Sequence, residues 1–130
     1  MISPGTGNGQ PSSGTLSTSG NLTSNGGNIT LVGATGLTVG NTLSSSGGAI
    51  SLTGGAAGGL VVTTTQSVNA GSGTITLNGG GSAIQLNSST LTTTDSSAAA
   101  VTIRNGTAVT LGNISAAAGT VQIGVGGDVS

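Results

Sequence analysis

GGNITL (residues 26–31) and GGAISL (residues 47–52) each set two aliphatics around one polar residue, directly after a glycine pair. The same figure returns as GSGTITL (71–77), AAAVTI (98–103) and AGTVQI (118–123). Its leading aliphatics, Ile29, Ile50, Ile75, Val101 and Val121, are separated by 21, 25, 26 and 20 residues. A recurrence in the range of about 20–50 residues marks a solenoid or another repeat array. Within each triplet the period is two, so the flanking aliphatics point one way while Thr30, Ser51, Thr76, Thr102 and Gln122 point the other.

Working outward from these triplets, a second series follows eight to ten residues later, at Leu37 and Val39, Leu60 and Val62, Ile84 and Leu86, and Val109 and Leu111, with Val129 beginning another. A single aliphatic then precedes the next triplet: Leu22, Leu43, Val68, Leu91 and Ile114. The repeating unit therefore has three apolar stations. A helix would need apolar residues at i, i+3, i+4 and i+7 with good helix formers between them, and Gly, Ser, Thr and Asn are poor ones. No α-helix is expected.

Strands this short do not stand alone, and the Asn-Gly, Gly-Gly and Ser-Gly punctuation between them readily turns corners. Stacking successive coils pairs each strand with its counterpart above and below and lines up Ile over Ile. The expectation is an all-β, three-sided parallel β-helix (β-solenoid) of about five coils of 20–26 residues. General crossover preference makes it right-handed. Coil-length variation is expected to bulge at residues 63–66 (TTTQ) and 90–100 (TLTTTDSSAAA). Residues 1–14, with Pro4 and Pro11 and no triplet, read as an extended N-terminal arm or linker, and residues 15–130 as the solenoid.

Composition agrees with a slender fold. Of 130 residues 27 are Gly, none is Trp, Tyr, Phe, Cys or His, and 33% are hydrophobic, so the core is built from thin aliphatic layers. Asp95, Arg104 and Asp128 are the only ionisable side chains, and the net charge is −1. One Arg does not supply the clustered cations that nucleic-acid binding requires, which excludes that partner. Disordered chains combine low hydropathy with high net charge, whereas the mean hydropathy here is +0.31, which favours order. Without Cys there are no disulfides or thiolate metal sites. No stretch approaches the roughly 20 apolar residues of a membrane span, and the N-terminus shows neither a basic n-region nor an apolar h-region.

The pattern GNLTSNGGNITL, GNTLSSSGGAISLTG, SVNAGSGTITLNGG and GNISAAAGTVQIG resembles the repeats of filamentous-haemagglutinin-type bacterial exoproteins over residues 15–130. The resemblance implies a right-handed parallel β-helix, export from the cell and a role as an adhesin shaft or matrix fibre at the cell surface. It carries over no site residues.

Catalysis needs a nucleophile or metal beside a group of suitable pKa, and Ser and Thr here have no His, Lys, Glu, Cys or Tyr to activate them. The chain is read as a non-enzyme with no catalytic, cofactor-binding or metal residues. Asp128 in VGGDVS is a lone carboxylate, where calcium-binding β-rolls repeat theirs in tandem. Arg104 is placed to pair with Asp95 at the surface. The outward row Thr30, Ser51, Thr76, Thr102 raises ice binding, yet its neighbours, Asn28, Ala49, Thr74, Ala100 and Thr120 on one side and Val32, Thr53, Asn78, Arg104 and Gly124 on the other, form no regular rank. Hydroxyls that keep an uncharged sheet wet are the simpler reading. Five Asn-X-Ser/Thr sequons, at Asn21, Asn28, Asn87, Asn105 and Asn113, follow from composition.

No polar or helical cap is seen at the C-terminal end, where Val129 occupies a second-series position. The expected partner is therefore the chain itself or flanking coils of a longer chain, stacked end to end as an extracellular fibre or adhesin shaft against a host or matrix surface. The alternatives are a ligand-binding solenoid, for ice or glycan, and an intertwined trimeric fibre shaft. A glycan site is disfavoured by the lack of Trp and Tyr to stack on sugar rings.

Overall fold

Ile29, Ile50, Ile75, Val101 and Val121 stand in one column, each the lateral partner of the next. The structure, a computed structural model, describes residues 14–124. Most of the expected arm, together with Asp128 and Val129, lies outside the described residues.

The strands run in chain order as successive turns of one spiral. The first are β1 (Thr15–Ser17), β2 (Leu22–Thr23), β3 (Ile29–Val32), β4 (Gly36–Val39), β5 (Leu43–Ser44) and β6 (Ile50–Thr53). There follow β7 (Gly59–Val62), β8 (Ser67–Gly71), β9 (Ile75–Gln85), β10 (Thr90–Thr93), β11 (Val101–Thr110), β12 (Asn113–Ser115) and β13 (Val121–Ile123). All strand pairs are parallel, and there is no helix among the described residues. This is the expected β-solenoid of about five turns.

Three faces close around one aliphatic core. The first stacks β3, β6, the start of β9, the start of β11, and β13. The second stacks β1, β4, β7 and the far halves of β9 and β11, in the column Leu16, Leu37, Leu60, Ile84, Val109. The third is the five-stranded sheet β2-β5-β8-β10-β12, in the column Leu22, Leu43, Val68, Leu91, Ile114. Leu16 thus extends the second series one turn earlier than the triplet pattern indicated. In β9 and β11 one strand assignment spans the first corner, with register shifts between Arg104 and Gly106 and between Gly106 and Val109.

The third station looked like a single aliphatic because its second inward position is small. Two residues after each column member comes Ser24, Ser45, Ala70, Thr93 or Ala116. Each begins the corner leading back to the first face. Ser45 and Thr93 are fully buried, which requires their hydroxyls to be satisfied. They are: Ser45 Oγ donates to the Gly48 carbonyl, and Thr93 Oγ1 donates to Gly73 O (2.6 Å). Glycine is needed beyond them because consecutive corners nearly touch. A Cβ on Gly48 would come within 3.0 Å of the Gly27 backbone, and one on Gly73 within 3.0 Å of the Gly48 backbone.

Of the two expected bulges, residues 90–100 need correction. Thr90–Thr93 is strand β10, with Leu91 and Thr93 buried, and the chain leaves the ladder only after Thr93. Two hydroxyl-rich β-branched residues around Leu91 had read as loop, but Leu91 completes the apolar column and holds them in the sheet. Residues 63–66 form a turn in which Thr64 and Thr65 are exposed. There Gln66 N donates to Thr63 O (3.3 Å), and exposed Thr65 sits at φ 68°. A β-branched residue in the left-handed region is strained, by about 1–2 kcal/mol. Thr65→Gly is therefore expected to stabilise the fold by up to about 1 kcal/mol, the gain being reduced by glycine's freedom in the unfolded chain. A raised thermal midpoint is the check.

Candidate functional site

Asp95 and Arg104 are the only ionisable side chains among the described residues. Asp95 follows β10, where its Oδ1 accepts from Ser97 N (3.1 Å) and its Oδ2 from Ser97 Oγ (2.7 Å). Its own N–H donates to Thr93 Oγ1 (2.9 Å). The carboxylate is thus spent on ordering its own loop. Arg104 is exposed on β11 beside Asn78, and among the described residues it forms no ion pair with Asp95. The expected Arg104–Asp95 pair is not formed: the carboxylate is turned to its own loop at Ser97, while Arg104 lies exposed on β11. No group of three or more His, Cys, Asp or Glu side chains gathers among the described residues.

The sequon asparagines are structural in most cases. Asn28 Oδ1 accepts from Ala49 N (2.9 Å) and Asn21 Oδ1 from Thr42 N (3.2 Å), each tying one turn to the next. Asn105 Nδ2 donates to Asn78 Oδ1 (3.1 Å), again across turns. An amide side chain at a corner does for the ladder what a backbone group does within a strand.

The outward surfaces differ from face to face. On the first, the central row Thr30, Ser51, Thr76, Thr102, Gln122 is in unbroken register, while its flanks mix Val32, Ala49 and Arg104 with polar residues. On the second, Thr38 stands beside Val61, and Val61 beside Gln85. The third is uniform. Its positions before the aliphatic column are Asn21, Thr42, Ser67, Thr90 and Asn113, and those after it are Thr23, Ser44, Asn69, Thr92 and Ser115. All ten are exposed or half-buried, and none is charged or apolar.

This double rank is less legible in the sequence than the first face, because its rungs carry one large aliphatic each where the triplets carry two. The signal was nonetheless present as NLT, TLS, SVN, TLT and NIS, each a polar residue on either side of one aliphatic. Two of these are also sequons, at Asn21 and Asn113, because a sequon needs the same two outward polar positions.

At the far end of the spiral the columns emerge from the core. Leu111, Val121 and Ile123 are 49%, 38% and 46% exposed, while Ile75, Leu77, Val101 and Ile103 in the columns of Val121 and Ile123 are fully buried. At the other end Leu16 and Leu22 border a shallow depression formed by residues 16–22 and are only partly covered. No family model, curated protein or solved structure matches the chain.

Proposed function

We propose that the chain is a structural, non-catalytic segment of an extracellular bacterial fibre or adhesin shaft, whose turns stack end to end with further coils of the same chain or of other subunits. The observation that carries this reading is the last described rung. Val121 and Ile123 have the spacing and register of fully buried column members, yet they are exposed. Among the described residues β13 pairs on one side, with β11, and a strand with apolar side chains in register is a template for another. With a net charge of only −1, approach of a second such end meets little repulsion.

Further support comes from composition and from the resemblance to filamentous-haemagglutinin-type repeats, which are exported and carry no site in the shaft. The side chains that would activate a Ser or Thr nucleophile are missing from the sequence. The test is electron microscopy and sedimentation of the purified chain across a wide concentration range. Thin unbranched fibres with an axial repeat of about 4.8 Å are expected, and Ile123→Asp is expected to suppress them. Compact monomers at every concentration would count against stacking between subunits.

A further inference from the structure

We propose that the third face is a binding surface for crystalline water, that is, for ice. The inference rests on the fold and on the third face alone, so it stands or falls separately from the shaft reading.

Three observations carry it. First, the outward groups form a two-dimensional lattice. Thr90 pairs laterally with Ser67, and Thr92 with Asn69, without a shift, and Ser44 pairs with Asn69 in turn. The register slips only after Thr92, where Thr93 faces Gly71 and Ala70 bulges. Parallel strands fix the spacing at about 4.7–4.9 Å between rungs and roughly 6.6 Å between the two ranks of one strand. Oxygen positions on ice surfaces repeat on the same scale.

Second, the hydroxyls are uncommitted. Those of Thr42, Ser44, Ser67, Thr90 and Thr92 have no protein partner among the described residues, and all five residues are half-buried on the outer side of the sheet. The buried hydroxyls of Ser45 and Thr93, one residue away from Ser44 and Thr92, are by contrast bonded inward. Alternation along the strand thus separates hydroxyls that build the corner from hydroxyls left over for a ligand.

Third, the face carries no charge. An ammonium or carboxylate holds its own hydration shell, which competes with an ordered water layer. The Asp95 carboxylate lies beyond the bulge and is bonded to Ser97, and Arg104 belongs to the first face. Neither interrupts the array. Each hydroxyl contact with water is individually weak, but a crystalline surface presents all its oxygens at once, so contacts held in register add. The first and second faces lack this property because aliphatic and charged side chains interrupt their ranks.

The test uses the full chain in an ice-affinity partition, with ice-crystal growth followed in parallel. Wild type is expected to be enriched in the growing ice. Thr90→Lys on the third face is expected to lose that enrichment, while Thr76→Lys, at an outward position of the first face in the same turn, is expected to keep it. Circular dichroism and the melting midpoint report whether each variant is folded, and Ser67→Lys replaces Thr90→Lys if the latter melts early. Wild type excluded from ice overturns the proposal. So does equal loss in the two variants, and so does retention on an insoluble polysaccharide without enrichment in ice.

Discussion

Leu52→Ala is expected to lower the unfolding free energy by about 2–5 kcal/mol. Leu52 is fully buried in the middle of the first face, with Leu31 below it and Leu77 above. Removing three carbons forfeits their transfer free energy and leaves a hollow that the neighbouring turns, held by ladders on both sides, have little freedom to close. In a linear array each turn contacts mainly its neighbours, so a defect in a central turn weakens coupling between the two halves. Ile123→Ala also removes three carbons, but from a side chain that is 46% exposed, and should cost no more than about 1 kcal/mol. Urea or thermal denaturation of the two variants beside wild type gives the comparison.

Gly48→Ala is expected to destabilise by about 1–3 kcal/mol or more, despite adding a single methyl. The new Cβ would fall within 3.0 Å of the carbonyl group of Gly27 and of the Asn28 nitrogen, all of them backbone atoms of the preceding turn. Backbone cannot rotate out of the way as a flexible side chain can. Relief would come from separating the two corners, which stretches Ala49 N to Asn28 Oδ1 and Ile29 N to Ala49 O, both 2.9 Å. Gly20→Ala is the control: its Cβ would meet nothing within 4 Å, and its expected effect is near zero or slightly stabilising. Equal melting points for the two variants would contradict the close approach of the corners.

These two residues also show what was legible in the sequence. Leu52 belongs to a period-two triplet, and that period, with its recurrence at Ile29, Ile50, Ile75, Val101 and Val121, leads directly to stacked parallel strands. The three stations and the number of turns follow from the same spacing. Gly48 is different. Its glycine identity suggested a corner, but that the corner abuts Gly27 depends on two turns coming into register, which no local pattern encodes. Residues 90–93 carried two conflicting signals: Thr-Leu-Thr-Thr has loop-like composition, while Leu91 falls at the third apolar station, and the ladder to Val68 and Ile114 shows that the station prevails. The third-face rank was hidden because each of its rungs carries a single large aliphatic, so no period-two triplet marks the outward positions. Loop chemistry was least accessible, since Asp95 bonds to Ser97 two residues on, whereas long-range charge attraction had suggested Arg104.

Spin labels at Thr30 and Gln122 give the most direct test of the central claim, that successive triplets stack in register on one face. The ladder Thr30, Ser51, Thr76, Thr102, Gln122 places four strand separations between the labelled sites, or about 19–20 Å. Pulsed dipolar spectroscopy should return a single narrow distribution near that distance, although the labelled residues are far apart in sequence. A broad distribution centred at roughly 30 Å or beyond, as for an unfolded segment of similar length, would contradict the solenoid.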